Sequence, residues 1–138
     1  MEKNRQYIPD GAPATISEHL MRGDLMAVAC PSRDVMRHIT SRWGVLALIV
    51  LMDKTRRFSE IRRTINGVSE RMLSQTLSQL EQDGLVKRVA YPVVPPHVEY
   101  SLTPIGREAA EKVQDLADWV ELNMQRLVEA RPSPDSKT

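Results

Sequence analysis

Cysteine is almost missing from this chain: Cys30 is the only one in 138 residues. That excludes an intrachain disulfide and any cysteine-built zinc site, and it makes a reducing compartment, the cytoplasm, the expected location. Long apolar runs are missing as well. The longest, Val45 to Met52, falls far short of the roughly 20 residues a membrane span needs, so a buried helix is expected there and no membrane partner. No N-terminal stretch couples a basic region to an apolar run, so no secretory signal is expected. The three histidines, His19, His38 and His97, are far apart and lack metal-ligand spacing. Neither a glycine-rich phosphate loop nor a nucleophile elbow occurs. With these gaps there is no constellation on which to build an enzyme, and no metal or cofactor is expected.

Net charge is also nearly missing, at +1, but its distribution is uneven. From Cys30 to Thr103 there are 11 basic and 7 acidic residues, a local excess of +4. The first 29 residues carry 3 and 4, and the stretch from Pro104 onward carries 5 and 7. A basic centre between acidic ends suits a polyanionic partner. Charge alone fits an ordinary mixed surface equally well, so the decision rests on the pattern.

Residues 1–29 read as an arm, loose through Pro9, Gly11 and Pro13 and helical over about 15–28, with Gly23 a weak point. The body spans 30–128, and 129–138 reads as a disordered tail rich in Pro, Ser, Asp and Lys. Pro31 suits a first helical position, followed by an apolar face of Val35, Met36 and Ile39. A second helix from about Ser41 is apolar nearly all round and belongs in the core. Arg57-Phe58 is short and extended, with Ser59 the expected N-cap of a short helix that buries Ile61 and Ile65. Asn66-Gly67 stops it, and Ser69 caps the next helix, whose Leu73, Leu77 and Leu80 share a face before Asp83-Gly84. Two short helices around a tight glycine turn form a helix-turn-helix. Leu85 to Tyr91 is β-prone, and Val98, Tyr100 and Leu102 alternate with polar residues. The intervening Pro92-Val93-Val94-Pro95-Pro96-His97 must project as a loop, or wing, because proline donates no ladder hydrogen bond. Thr103-Pro104 then caps one long helix with a stripe of Ile105, Ala109, Val113, Leu116, Val120, Met124 and Leu127. The fold class expected is α+β, mostly α: a winged helix-turn-helix with flanking dimerisation helices.

In such a fold the second helix of the motif enters the major groove. Its polar side offers Ser69, Arg71, Ser74, Gln75, Ser78 and Gln79, and brings one acid, Glu70, on the first turn. Arginine can read guanine or hold a phosphate, and glutamine can read adenine. Arg62 lies with Arg56, Arg57 and Arg63 in and before the first helix of the motif, which crosses the phosphate backbone. Lys87, Arg88 and His97 belong to the wing, which can reach phosphate or minor groove. Each side chain taken singly also fits a plain solvated surface. Ile105, Val113, Leu116, Val120 and Leu127 are the expected dimer contacts, the alternative being a helix folded back on its own core.

Several segments resemble one family in order: Cys30-Pro31, Arg42-Trp43, Arg57-Phe58-Ser59-Glu60-Ile61-Arg62-Arg63, Ser69-Glu70-Arg71-Met72-Leu73-Ser74, Leu80-Glu81-Gln82-Asp83-Gly84-Leu85-Val86 and Val94-Pro95-Pro96-His97-Val98-Glu99-Tyr100-Ser101-Leu102-Thr103. Over about residues 30–128 the chain resembles HxlR-type transcriptional regulators. The resemblance implies a winged-helix homodimer, distantly like the MarR regulators, that binds double-stranded operator DNA as repressor or activator. Two departures stand out. Thr40-Ser41-Arg42-Trp43 replaces the usual Gly-Gly-Lys-Trp, and the arm before Cys30 is longer. A winged helix used for protein–protein contact, without DNA, is the alternative function.

Cys30 carries the remaining expectation. It precedes Pro31, hence a helix N-terminus, where the dipole favours thiolate, and Arg33 lies one turn on. A lone cysteine is as often an inert small hydrophobe. The resemblance adds that some HxlR-type regulators use the cysteine at this position to sense oxidants or quinones, which makes an oxidant or small-molecule effector the expected signal.

Overall fold

The computed structural model describes residues 15–23 and 31–134. The chain divides into two units, residues 1–37 and 38–138. In the first, α1 (Ile16–Arg22) opens with a reciprocal cap. The Thr15 N–H donates to Glu18 Oε1 at 2.7 Å and the Glu18 N–H donates to Thr15 Oγ1 at 3.1 Å. This is the first part of the helix expected over 15–28; positions 24–28 lie outside the described residues, as do Cys30 and 135–138 of the expected tail. Next, α2 (Pro31–Thr40) opens on its proline and runs across the division between the units. Its expected apolar face is not sealed: none of its residues is buried, and Met36 is 54% exposed.

The second unit is built round α3 (Arg42–Val50), which packs against three later helices. Ser41 starts it. The serine hydroxyl accepts from the Gly44 N–H at 3.1 Å and donates to the His38 carbonyl at 2.9 Å. Thus one of the three residues that depart from the resembled Gly-Gly-Lys-Trp pattern supplies the cap. A Cβ on Gly44 would overlap the His38 carbonyl oxygen, so only glycine lets the helix close on the chain before it. Ala47, Leu48 and Leu51 from this region meet Ile61, Leu73, Leu77, Leu80, Val86 and Ala110 in the core, all at most 2% exposed. Each leucine buried this way gains roughly 1.5–3 kcal/mol over leaving it in water. At the far end of α3, the free carbonyls are met by two arginines: Arg56 Nε donates to Val50 at 3.0 Å, and Arg107 donates to Met52 at 2.7 Å.

The helix-turn-helix follows β1 (Arg56–Arg57) and consists of α4 (Phe58–Ile65) and α5 (Glu70–Gln82). The expected Ser59 cap is corrected here. The helix begins two residues earlier, with Arg57 in the N-cap position, and its start is held by Glu60, whose carboxylate accepts from the Arg57 N–H at 2.8 Å. The glutamate arm of a capping box suffices without a hydroxyl before it. Asn66 and Gly67, at φ 57° and 98°, form the turn. At the end of α5, the Leu85 N–H donates to the Leu80 carbonyl and the Gly84 N–H to the Glu81 carbonyl, both at 3.0 Å, a complete Schellman motif with Gly84 at φ 84°.

Strands β2 (Val86–Tyr91) and β3 (His97–Leu102) form the wing hairpin, with β3 in the middle of an antiparallel sheet of order β1-β3-β2. Tyr100 pairs with Arg56 on one side and Arg88 on the other, and its ring lies 6.5 Å from that of Phe58. Thr103 and Pro104 start α6 (Pro104–Leu122), which settles onto Leu85 so tightly that a Cβ on Gly106 would overlap the Leu85 carbonyl. The single long helix expected from Thr103 onward is broken at Asn123, and α7 (Met124–Glu129) follows. The Asn123 amide donates to the Trp119 carbonyl at 2.8 Å and its oxygen accepts from Arg126 at 2.6 Å, so a short polar side chain competes with the helical ladder. Among the described residues no helix is long and apolar enough to cross a membrane, and no group of His, Cys, Asp or Glu is placed to hold a metal.

Candidate nucleic-acid interface

The two faces of α5 differ completely. Leu73, Thr76, Leu77 and Leu80 are buried, while Arg71, Ser74, Gln75 and Ser78 stand exposed on the other side, with Gln79 half-buried at its margin. Burial of the leucine stripe is what fixes the rotation of the helix and so presents the polar set outward. Ser69 has a definite duty: its hydroxyl accepts from the Met72 N–H at 3.0 Å and caps the helix. Sequence reasoning passed over Met72, which is 42% exposed on the first turn beside Arg71. An unsealed methionine in an otherwise polar first turn was the available signal.

Between α4 and the start of α5 lies an open groove of about 610 Å³, lined by Phe58, Ser59, Arg62, Arg63, Asn66, Gly67, Val68, Ser69 and Glu70. Arg62 sits on its wall, with Nε donating to the Val68 carbonyl at 3.4 Å and the guanidinium 3.7 Å from Glu70. It therefore braces the turn as well as lending charge. Arg56 belongs to the structure: only 18% of its side chain is exposed, and it holds Val50 and Asp53. Its hydrogen bond keeps the Asp53 carboxyl below the usual range, and the Arg57 N–H does the same for Glu60.

The wing does not gather its three expected residues. Successive strand side chains face opposite ways, so Lys87 and Arg88, both exposed, point to opposite faces of the hairpin. Arg88 shares the face of its partner Tyr100, whereas Lys87 shares that of Ser101 and, further along, His97. His97 is occupied: its ring stacks on Tyr91 with centroids 5.0 Å apart, and Nε2 lies 3.2 Å from Glu99. The tip beyond, Pro92 to Pro96, carries no charge, and Val94 is 97% exposed.

A second uncovered surface lies on α6 and α7. Of the expected dimer contacts, Ile105 and Leu116 are 61% and 62% exposed, and Val113, Val120 and Leu127 are half-buried. Trp119 and Leu122, missing from the expected stripe, are 50% and 83% exposed. Leu116, Trp119 and Leu122 recur every third residue, a row beside the stripe that was legible in the spacing.

A trihelical core carrying a helix-turn-helix, followed by a two-stranded wing, defines a winged helix-turn-helix protein. Residues 38–128 match the model of the HxlR-like helix-turn-helix family. The chain is 58% identical over 117 residues to an uncharacterized HTH-type transcriptional regulator, YtfH, of Escherichia coli (strain K12), covering 85% of this chain and 93% of that one. It is similar to the solved structure of the proposed transcriptional regulator ytfH of Salmonella typhimurium, with a TM-score of 0.73, 60% identity, and 76% and 94% of the two chains covered. It also resembles the redox regulator HypR in its reduced form, with a TM-score of 0.65, 36% identity, and 72% and 98% covered. The chain belongs to the HxlR-like helix-turn-helix family of transcriptional regulators, a family of DNA-binding proteins and not of enzymes.

Proposed function

We propose that the protein regulates transcription as a homodimer bound to a pseudo-palindromic operator, with α5 of each copy in the major groove. The observation that carries this reading is the exposed row of Arg71, Ser74, Gln75 and Ser78 opposite the buried leucines. Such side chains hydrogen-bond base edges without adding negative charge to a phosphate-lined groove. Arg62, Arg63, Lys87 and Arg88 supply phosphate contacts around it. The uncharged wing tip makes close apolar contact, while the wing's cations act nearer its base. The row of Leu116, Trp119 and Leu122 supports two-fold pairing through α6 and α7. A mobility shift on DNA upstream of the chain's own gene tests this reading. Arg71→Ala or Gln75→Ala should weaken operator binding by about 1–3 kcal/mol. Wild-type affinity in both variants would remove α5 as the reading element, and no shift with wild type would favour a protein-contact module.

The likeness to HypR supports a second layer, response to oxidants or electrophiles through Cys30. Helix α2 begins at Pro31, and the dipole at a helix N-terminus favours the thiolate of a cysteine placed there. A peroxide oxidises that thiolate to a sulfenic acid, and a quinone adds to it; with one cysteine per chain, the sulfenic acid condenses, with loss of water, either with a small thiol as a mixed adduct or with Cys30 of a second copy. Wild type and Cys30→Ser are treated with peroxide or quinone and titrated with operator DNA. Loss of binding in wild type alone supports the switch, and equal responses eliminate it.

A further inference from the structure

We propose that the pair His38–Asp83 aims the reading helix: it fixes the C-terminal end of α5 so that the N-terminal end meets the bases. The proposal rests on the reading of α5 as the DNA-reading helix. Nδ1 of His38 lies 2.7 Å from Oδ2 of Asp83, across 45 positions of sequence. The side chains are only 14% and 11% exposed. A carboxylate only accepts, so the ring nitrogen donates.

Both partners are held from behind. The His38 carbonyl accepts from Ser41, and the same carbonyl is the atom that forbids a Cβ on Gly44. The imidazole therefore starts from a fixed point at the head of α3. Asp83 is the C-cap of α5, and its N–H donates to the Gln79 carbonyl. Immediately after it, the Gly84 carbonyl accepts from Thr103 Oγ1 at 2.7 Å. The end of α5 is thus tied through His38 to the last turn of α2, where it meets the cap of α3, and through Thr103 to α6. Its other end is capped by its own Ser69, meets α4 through the part-exposed Arg62–Glu70 pair at 3.7 Å, and carries the exposed Arg71, Ser74 and Gln75. A helix of 13 residues is about 20 Å long, so rocking its tied end by about 10° displaces Arg71 by about 3 Å. That exceeds the tolerance of a bidentate hydrogen bond to a base. Backbone phosphate contacts from flexible lysine and arginine side chains absorb such a shift. Aiming therefore affects operator binding far more than non-specific binding.

The test compares a duplex from the gene's upstream region with a scrambled duplex of equal length, at a temperature where circular dichroism shows every variant folded. His38→Ala and Asp83→Ala should each weaken upstream-duplex binding about tenfold, with scrambled-duplex binding changed less than about twofold. The double variant should be no weaker than either single one. His38→Asn, whose amide nitrogen takes the place of Nδ1, should recover most of the loss. Three results overturn the proposal: unchanged operator affinity with only a lowered melting temperature, equal loss on both duplexes, or additive losses in the double variant. Failure of wild type to prefer the upstream duplex overturns the DNA reading itself, and the aiming role with it.

Discussion

Helices α5 and α6 each leave a face uncovered, and the two faces have opposite chemistry. On α5 the outward side is polar: Arg71, Ser74, Gln75 and Ser78. Along the latter half of α6 it is apolar: Leu116, Trp119 and Leu122, each at least 50% exposed. Both helices bury their other side, α5 through leucines and α6 through Gly106 and Ala110. The difference teaches what each face awaits. A polar row with little negative charge loses nothing in water and gains from a groove lined with acceptors and phosphates. An apolar row costs free energy in water and gains from another apolar row, for which a second copy of the same surface is the simplest partner.

The largest expected effect comes from breaking the side of α5 that sets its rotation. Leu77→Ala should cost about 2–5 kcal/mol in a denaturant titration, whereas Gln75→Ala on the opposite side should change stability by less than about 0.5 kcal/mol. Equal costs would mean that the two faces are not distinct. Next, Leu116→Asp places a charge in the apolar row and should weaken dimerisation by about 2 kcal/mol or more, read by sedimentation at micromolar concentration. A monomeric wild type would sink the comparison at its apolar end. Smaller is the effect of Arg88→Ala. It should weaken binding to all duplexes alike and lower the slope of log affinity against log salt by about 1. A sequence-dependent loss would move Arg88 from phosphate to base contact. The smallest effect concerns acid. The Arg57 N–H lowers the Glu60 pKa in the fold, below its ordinary 4.5. That contribution is present above the unfolded pKa and is lost as pH falls through the folded one. Glu60→Gln keeps an acceptor for the Arg57 N–H and should flatten stability against pH only below about 4.5; a change confined to neutral pH would contradict this.

Much of the fold was legible because each boundary has a local chemical mark: Pro31, Ser41, Asn66-Gly67, Ser69, Asp83-Gly84 and Thr103-Pro104 all stand at the ends of elements. The polar face of α5 was legible too, since three leucines at helical spacing settle which residues point away. Where the reading missed, the cause was mostly a polar side chain reaching a nearby backbone group, which apolar spacing does not report. Glu60 replaces the expected Ser59 cap by reaching backward, and Asn123 breaks a stripe whose apolar spacing continues unbroken through it. Arg56 looked like one of a basic cluster, but the carbonyl it serves belongs to a different helix. His38 and Asp83 had no common mark at all, because only the folded chain brings positions 45 apart together.

The junction at Thr103 has a mechanical consequence. Its hydroxyl donates to the Gly84 carbonyl and accepts from the Gly106 N–H, while its own N–H donates to the Leu85 carbonyl at 3.1 Å. One residue thereby welds the last turn of α5 to the first turn of α6. For a dimer joined through α6, the distance and twist between the two α5 helices become a stiff quantity, set by two such welds in series. Inserting one base pair between half-sites moves one of them by about 3.4 Å and turns it by about 35°. A jointed regulator follows such a change; a dimer of the proposed kind would act as a gauge, tuned to one spacing of its half-sites as much as to their letters.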